Sequence, residues 1–235
     1  MTAAAPRHHA RLPPRRSAPR ARSWWGKAWA RAVEESAYAQ EDLLAGRKLA
    51  RAGRVGQITV DVGGYHAAVE DDHGMWTVAG VLPVLDPGAR EALVETVAAE
   101  AGRIAALLAG DLPHTLVEHA EEAGVELLPY GGELGSACTC EAWTDPCRHA
   151  LAVLQQLAWL VDDDPFVLLH LRGLPREELL ARLHERAEAT PAPRPGVDPG
   201  VGPEEIDVES GLEAALRAAR VLAALEEGHP VDHLF

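Results

Sequence analysis

All three cysteines of this 235-residue chain fall in one twelve-residue stretch, CTCEAWTDPCRH, residues 138–149, which closes on a histidine. Cys138, Cys140, Cys147 and His149 follow the pattern Cys-x-Cys-x6-Cys-x-His. Three thiolates and one imidazole make the soft donor set of a closed tetrahedral zinc site, with no position left for water. In an extended segment, residues i and i+2 point the same way, so Cys138 and Cys140 reach one ion from one face of a strand. In a regular helix the same separation turns through about 200°. The pattern therefore predicts a strand ending at the first pair and a helix starting at the second. Cys147 should lie in the turn entering that helix, with Thr144 or Asp145 as the N-cap, Pro146 in the first turn and His149 one turn in. Structural zinc contributes roughly 10–16 kcal/mol of apparent binding energy, which rivals the stability of a whole domain. Packed apolar thiols do not require this spacing. A cysteine nucleophile with His149 as base has no use for two more thiols, and an iron–sulfur cluster normally takes four thiolates. Three thiolates on a dication leave a local charge near −1, which Arg148 is placed to offset unless it reaches outward to a phosphate.

Charge is distributed unevenly. The net value is −14, yet the first 31 residues carry eight basic side chains and no carboxylate, so the remainder carries −22. A basic arm before an acidic body raises a nucleic-acid question, and Arg7, Arg11, Arg15, Arg16, Arg20 and Arg22, with Arg148, are the candidate phosphate contacts. Taken alone, the net charge argues against wrapping a polyanion. With 47% apolar residues the chain has enough to bury a core. No apolar run suits a membrane span, no apolar segment follows the early arginines, and the odd cysteine number suits a reducing compartment, so a cytoplasmic setting is expected.

Residues 1–22, rich in Pro, Arg and Ala without a hydrophobic period, read as a disordered basic arm. Residues 23–129 read as an α+β region. Ser23 caps a helix running toward Leu44, with Trp25, Trp29 and Val33 on one face and Gly46 as its stop. Ile58, Val60 and Val62 alternate before Gly63-Gly64, and two further strands follow up to Leu82, giving a small antiparallel meander. Asp86-Pro87 opens a long helix ending at Gly110, and a shorter one spans Pro113–Ala123. Residues 130–188 hold the cysteine window, a helix over Arg148–Val161 and another over Arg176–Glu188. Asp162, Asp163 and Asp164 read as a solvated turn before Pro165, and His114 and His119 as surface residues. Residues 189–210 have linker composition and 211–235 the pattern of one more helix. The expected class is thus α+β: a small meander, surrounding helices and the finger.

CTCEAWTDPCRH resembles a SWIM-type zinc finger, whose pattern is C-x-C, a variable spacer often carrying an aromatic residue such as Trp143, then C-x-H. With WWGKAW, the hairpin, the long helix and HALAVLQQLAWLVDDDPFVLLHLRG, residues 23–188 resemble bacterial SWIM zinc finger proteins of the actinobacterial type. Such proteins are often encoded near a Snf2-type helicase, and SWIM domains are proposed to bind DNA or other proteins. The resemblance thus implies a non-catalytic, zinc-binding accessory protein that joins DNA, protein or both, with a Snf2-type helicase as partner. The alternative is a pure protein–protein adaptor. No enzyme activity, small-molecule substrate or membrane contact is expected.

Overall fold

The computed structural model describes residues 4–16 and 21–189. Arg20, the 190–210 part of the expected linker and the expected helix at 211–235 lie outside the described residues. A five-stranded antiparallel sheet runs in chain order: β1 (Arg7–His9), β2 (Val55–Asp61), β3 (Gly64–Asp71), β4 (Gly74–Val81) and β5 (Gly135–Cys138). The expected meander is β2–β3–β4. Tyr65, Ala67 and Val69 of β3 face the core at the period of two that a half-buried strand requires. Tyr65 lies opposite Gly80 of β4 with its ring across it, where a Cβ would sit 2.0 Å from the ring.

Two edge strands extend the meander. β5 pairs with β4, Cys138 opposite Val78, so the finger's first strand belongs to the same sheet as residues 55–81 and the regions 23–129 and 130–188 share one core. β1 pairs with β2, Arg7 opposite Val60 and His9 opposite Ile58. The expectation of a disordered arm over residues 1–22 is corrected for Arg7–His9, which form a strand. The open edge of β2 offers unpaired backbone groups, Leu12 packs against the core, and the arm's arginines find carboxylates supplied by distant parts of the chain.

Helices cover the sheet: α1 (Trp24–Ser36), α2 (Gln40–Arg51), α3 (Pro87–Ala98), α4 (Ala101–Leu108), α5 (His114–Glu122), α6 (Arg148–Asp163), α7 (Pro165–Leu171) and α8 (Arg176–Ala189). α6 is central, with Leu151, Leu154, Leu157 and Val161 fully enclosed. Trp25, Trp29 and Val33 form the predicted buried face of α1, and the Ser23 hydroxyl accepts from the Gly26 amide as its N-cap. The helix does not continue to Leu44. It ends at Ser36, and the extended residues Ala37 and Ala39 lead into α2. Gly46 does not stop α2 but lets it approach α6, since a Cβ there would meet Leu151 Cβ at 2.8 Å and Arg148 O at 2.9 Å.

The long helix expected over 87–110 is also two helices. From the first turn of α4, Arg103, 3% exposed, turns back to donate to Thr96 O at 2.5 Å and reaches Glu100 and His119. His119 is therefore a partner of a buried guanidinium, and His114 packs on the Trp24 ring. The three aspartates are not simply solvated. Asp162 accepts from the Ser23 amide and hydroxyl, Asp163 pairs with Arg22, and Asp164 caps α7 through the Phe166 amide. α7 itself, seven residues long and buried throughout, went unread in the sequence.

Candidate metal centre

The four predicted ligands converge. Hydrogen bonds between Thr139 and Thr77 carry the β4–β5 pairing one residue beyond the strand, which keeps Cys138 and Cys140 on a common side. Glu141, with φ of 53°, then reverses the chain into the loop 141–146. Asp145 accepts from the Ser136 hydroxyl at 2.6 Å and ties that loop back to β5. Cys147 is itself the N-cap of α6, so Thr144 and Asp145 lie in the loop, Pro146 precedes the helix, and His149 sits in the first turn.

Sulfur and nitrogen positions match one small ion. Cys140 and Cys147 Sγ are 3.6 Å apart, His149 Nδ1 is 3.8 Å from Cys138 Sγ and 3.9 Å from Cys147 Sγ, and all four donors lie within 4.8 Å of one another. A tetrahedron with Zn–S near 2.3 Å and Zn–N near 2.0 Å has edges of about 3.5–3.8 Å. Burial pushes the Cys138 thiol up to about 12. It also raises Cys147, against the pull of the Ala150 and His149 amides. Without metal these groups hold their protons, so zinc binding must displace them.

Asp71, at the end of β3, was missed in the sequence and stands directly behind His149. Its Oδ2 is 3.0 Å from His149 Nε2 and 3.3 Å from Arg148 Nη2, while Oδ1 accepts from the Trp76 indole at 3.0 Å and the His73 amide at 2.9 Å. Burial alone would raise its pKa, but the Trp76, His149 and His73 donors hold the carboxyl well below the usual range. An anionic acceptor on Nε2 places the ring proton there and leaves Nδ1 free as the metal donor, the arrangement typical of carboxylate–histidine–zinc sites. Trp76 stacks on the same ring at 5.6 Å. The only hint in the sequence is the turn DDHG, residues 71–74, whose partner lies 78 residues away.

Among the described residues, the candidate phosphate contacts do not assemble into one surface of free cations. Arg7 pairs with Asp164 at 3.2 Å, Arg22 with Asp162 and Asp163, and Arg148 with Asp71. Arg11 donates to Gly53 O at 2.7 Å and lies 3.9 Å from Glu70, and Arg15 packs 4.7 Å above the Trp159 ring. Arg16 is exposed. Lys48, Arg54 and Arg148 do meet, in a cleft of about 340 Å³ beside the metal centre, but Asp71 and Asp72 line it too and Arg54 pairs with Glu70 at 3.0 Å. Among the described residues, no helix is long and apolar enough to cross a membrane.

Residues 124–158 match the family model of the SWIM zinc finger. The chain is also 31% identical over 165 residues to the uncharacterized protein Rv2102 of Mycobacterium tuberculosis (strain ATCC 25618 / H37Rv), a match covering 69% of this chain and 59% of that relative. The matched part thus spans less than two thirds of the relative's length. No solved structure matches the chain.

Proposed function

We propose that this chain, which matches the SWIM zinc finger over residues 124–158 and gathers Cys138, Cys140, Cys147 and His149 as a set of donors that could hold zinc, is a non-catalytic adaptor that recognises a protein partner through the loop its zinc holds in place. The observation that carries this reading is Trp143, 83% exposed at the tip of that loop. A large aromatic side chain left in water on a rigid support is a common anchor of protein interfaces. Four protein donors fill the zinc shell, which argues for a structural ion and against metal catalysis. A Snf2-type helicase is the partner the family resemblance implies. Capture by the immobilised, zinc-loaded full-length protein from a lysate of the source organism tests this. A helicase of that type is expected with the native chain and lost with Trp143→Ala, whereas identical captured proteins for both would refute the role of the loop.

A second reading, DNA contact, is favoured by the cleft where Lys48, Arg54 and Arg148 meet. With Arg54 held by Glu70 and Arg148 by Asp71, phosphates must displace those carboxylates, and three contacts then predict a slope of log affinity against log salt near −3 on duplex DNA. Loss of that slope in Lys48→Glu/Arg54→Glu would support the cleft, and a flat line for the native chain would remove DNA from the account.

A further inference from the structure

Trp143 does not stand alone. Its ring meets that of Tyr38, 72% exposed, edge to face at 5.4 Å, so the α1–α2 connection and the zinc loop together present an aromatic ridge. An edge-to-face pair leaves open ring faces, and open faces carry negative charge density. Two clefts open against these same segments. One, of about 320 Å³, has Trp143, Asp42 and Arg148 on its walls, and the other, of about 280 Å³, has Glu35 and Asp145.

The charged side chains of these two segments that lack an ion pair are acidic. Asp42, Glu41 and Glu141 make no ion pair among the described residues, and Asp145 is held only by the Ser136 hydroxyl. The nearby cation, Arg148, is already met by Asp71, and Glu35 by Arg31. The three thiolates add a charge near −1 once zinc is bound. A nucleic-acid strand stacking on these rings would bring its phosphates against those carboxylates, whereas a cationic side chain is attracted by rings and carboxylates together.

We propose that Tyr38 and Trp143, with Asp42 on the wall of the cleft that Trp143 shares and Glu141 in the same loop, form a docking site for an arginine-bearing extended segment of a protein partner. The guanidinium lies on an aromatic face and its N–H groups reach the carboxylates. Arginine fits better than lysine because its planar head stacks on a ring while donating in its own plane. This proposal rests on the adaptor reading and names the chemistry of the partner.

The test is fluorescence anisotropy of a labelled Arg-Gly repeat peptide titrated with the zinc-loaded full-length protein, beside Lys-Gly and Glu-Gly repeats and oligothymidine. Any cation is drawn to a chain of net charge −14, so dependence on the rings, not binding itself, is the readout. Trp143→Ala and Tyr38→Ala should each weaken Arg-Gly binding about two- to fivefold, the size of an exposed cation–π contact. Met75→Ala, which removes an exposed apolar side chain on β4, should leave it unchanged. Asp42→Asn/Glu141→Gln should weaken binding and flatten its salt dependence. Equal affinity in the double ring variant, no preference for Arg-Gly over Lys-Gly, or ring-dependent binding of oligothymidine instead would each overturn the proposal. If these peptides fail while Trp143-dependent capture of a protein partner succeeds, the arginine assignment falls and the adaptor reading stands.

Discussion

With Asp71 truncated, the Nε2–H of His149, a residue 2% exposed, would lose its acceptor and the ring its fixed orientation. Asp71→Ala should therefore lower zinc affinity by about ten- to a hundredfold, measured by chelator competition. Unchanged affinity would mean that the Trp76 stack alone orients the ring. Zinc loading should also acidify a weakly buffered solution and weaken as pH falls, because the raised Cys138 and Cys147 thiols give up protons to bind. At this scale the ligands were legible because their spacing is local and their chemistry permits few other uses. Asp71 was not, because an aspartate in a turn is ordinary until the fold brings a histidine to it.

At the level of elements, two glycines were read as punctuation and one proved to be packing. Gly110 does follow a helix end, with φ of 83°. Gly46, inside α2, is the contact point with α6. Gly46→Ala should raise helix propensity by about 1 kcal/mol and still destabilise the protein, since overpacking at such a crossing costs roughly 1–3 kcal/mol. A higher melting temperature in this variant would show that the crossing relaxes. A second joint is Arg172, also 2% exposed. It donates to both carboxylate oxygens of Glu133, at 2.9 and 3.0 Å, and to Leu127 O and Pro83 O. Glu133→Ala leaves a buried cation half-paired and should cost about 3–5 kcal/mol by denaturant unfolding. Alternation revealed the meander, and capping residues revealed the helix starts at Trp24 and Pro87. The breaks at Ala37–Ala39 and Ala99–Glu100 carry neither Gly nor Pro, so only the way α1 and α2 both cover α6, and the fold-back of Arg103, explains them.

Across the whole molecule, the basic arm and the acidic body are partners, an arrangement that net charge suggested only as an asymmetry. β1 lies on the edge of β2 with Arg7 on Asp164, and His9 is set near the buried His170, whose ring nitrogens have no partner among the described residues. Burial chiefly lowers both histidine pKa values below 6.5. Arg7 and His170, with a smaller part from His8, lower His9 further while Asp164 opposes; Arg7 lowers His170 while Asp61 and Glu177 oppose. The unfolded chain then takes up protons first, so stability is complete above about pH 6.5 and falls as pH drops toward the lowered values. Melting temperature followed from pH 7.5 to 5.5 should show that fall, and His170→Leu should flatten it. An unchanged slope would place the acid sensitivity elsewhere. The same economy of long-range contacts governs the finger, where one ion joins the edge strand β5 to the first turn of α6 and displays Trp143 between them. That claim is tested most directly by zinc-edge X-ray absorption on the full-length protein. One zinc per chain is expected, with three sulfur neighbours near 2.3 Å and one nitrogen near 2.0 Å. A coordinated oxygen in place of any of the four would contradict a closed structural centre.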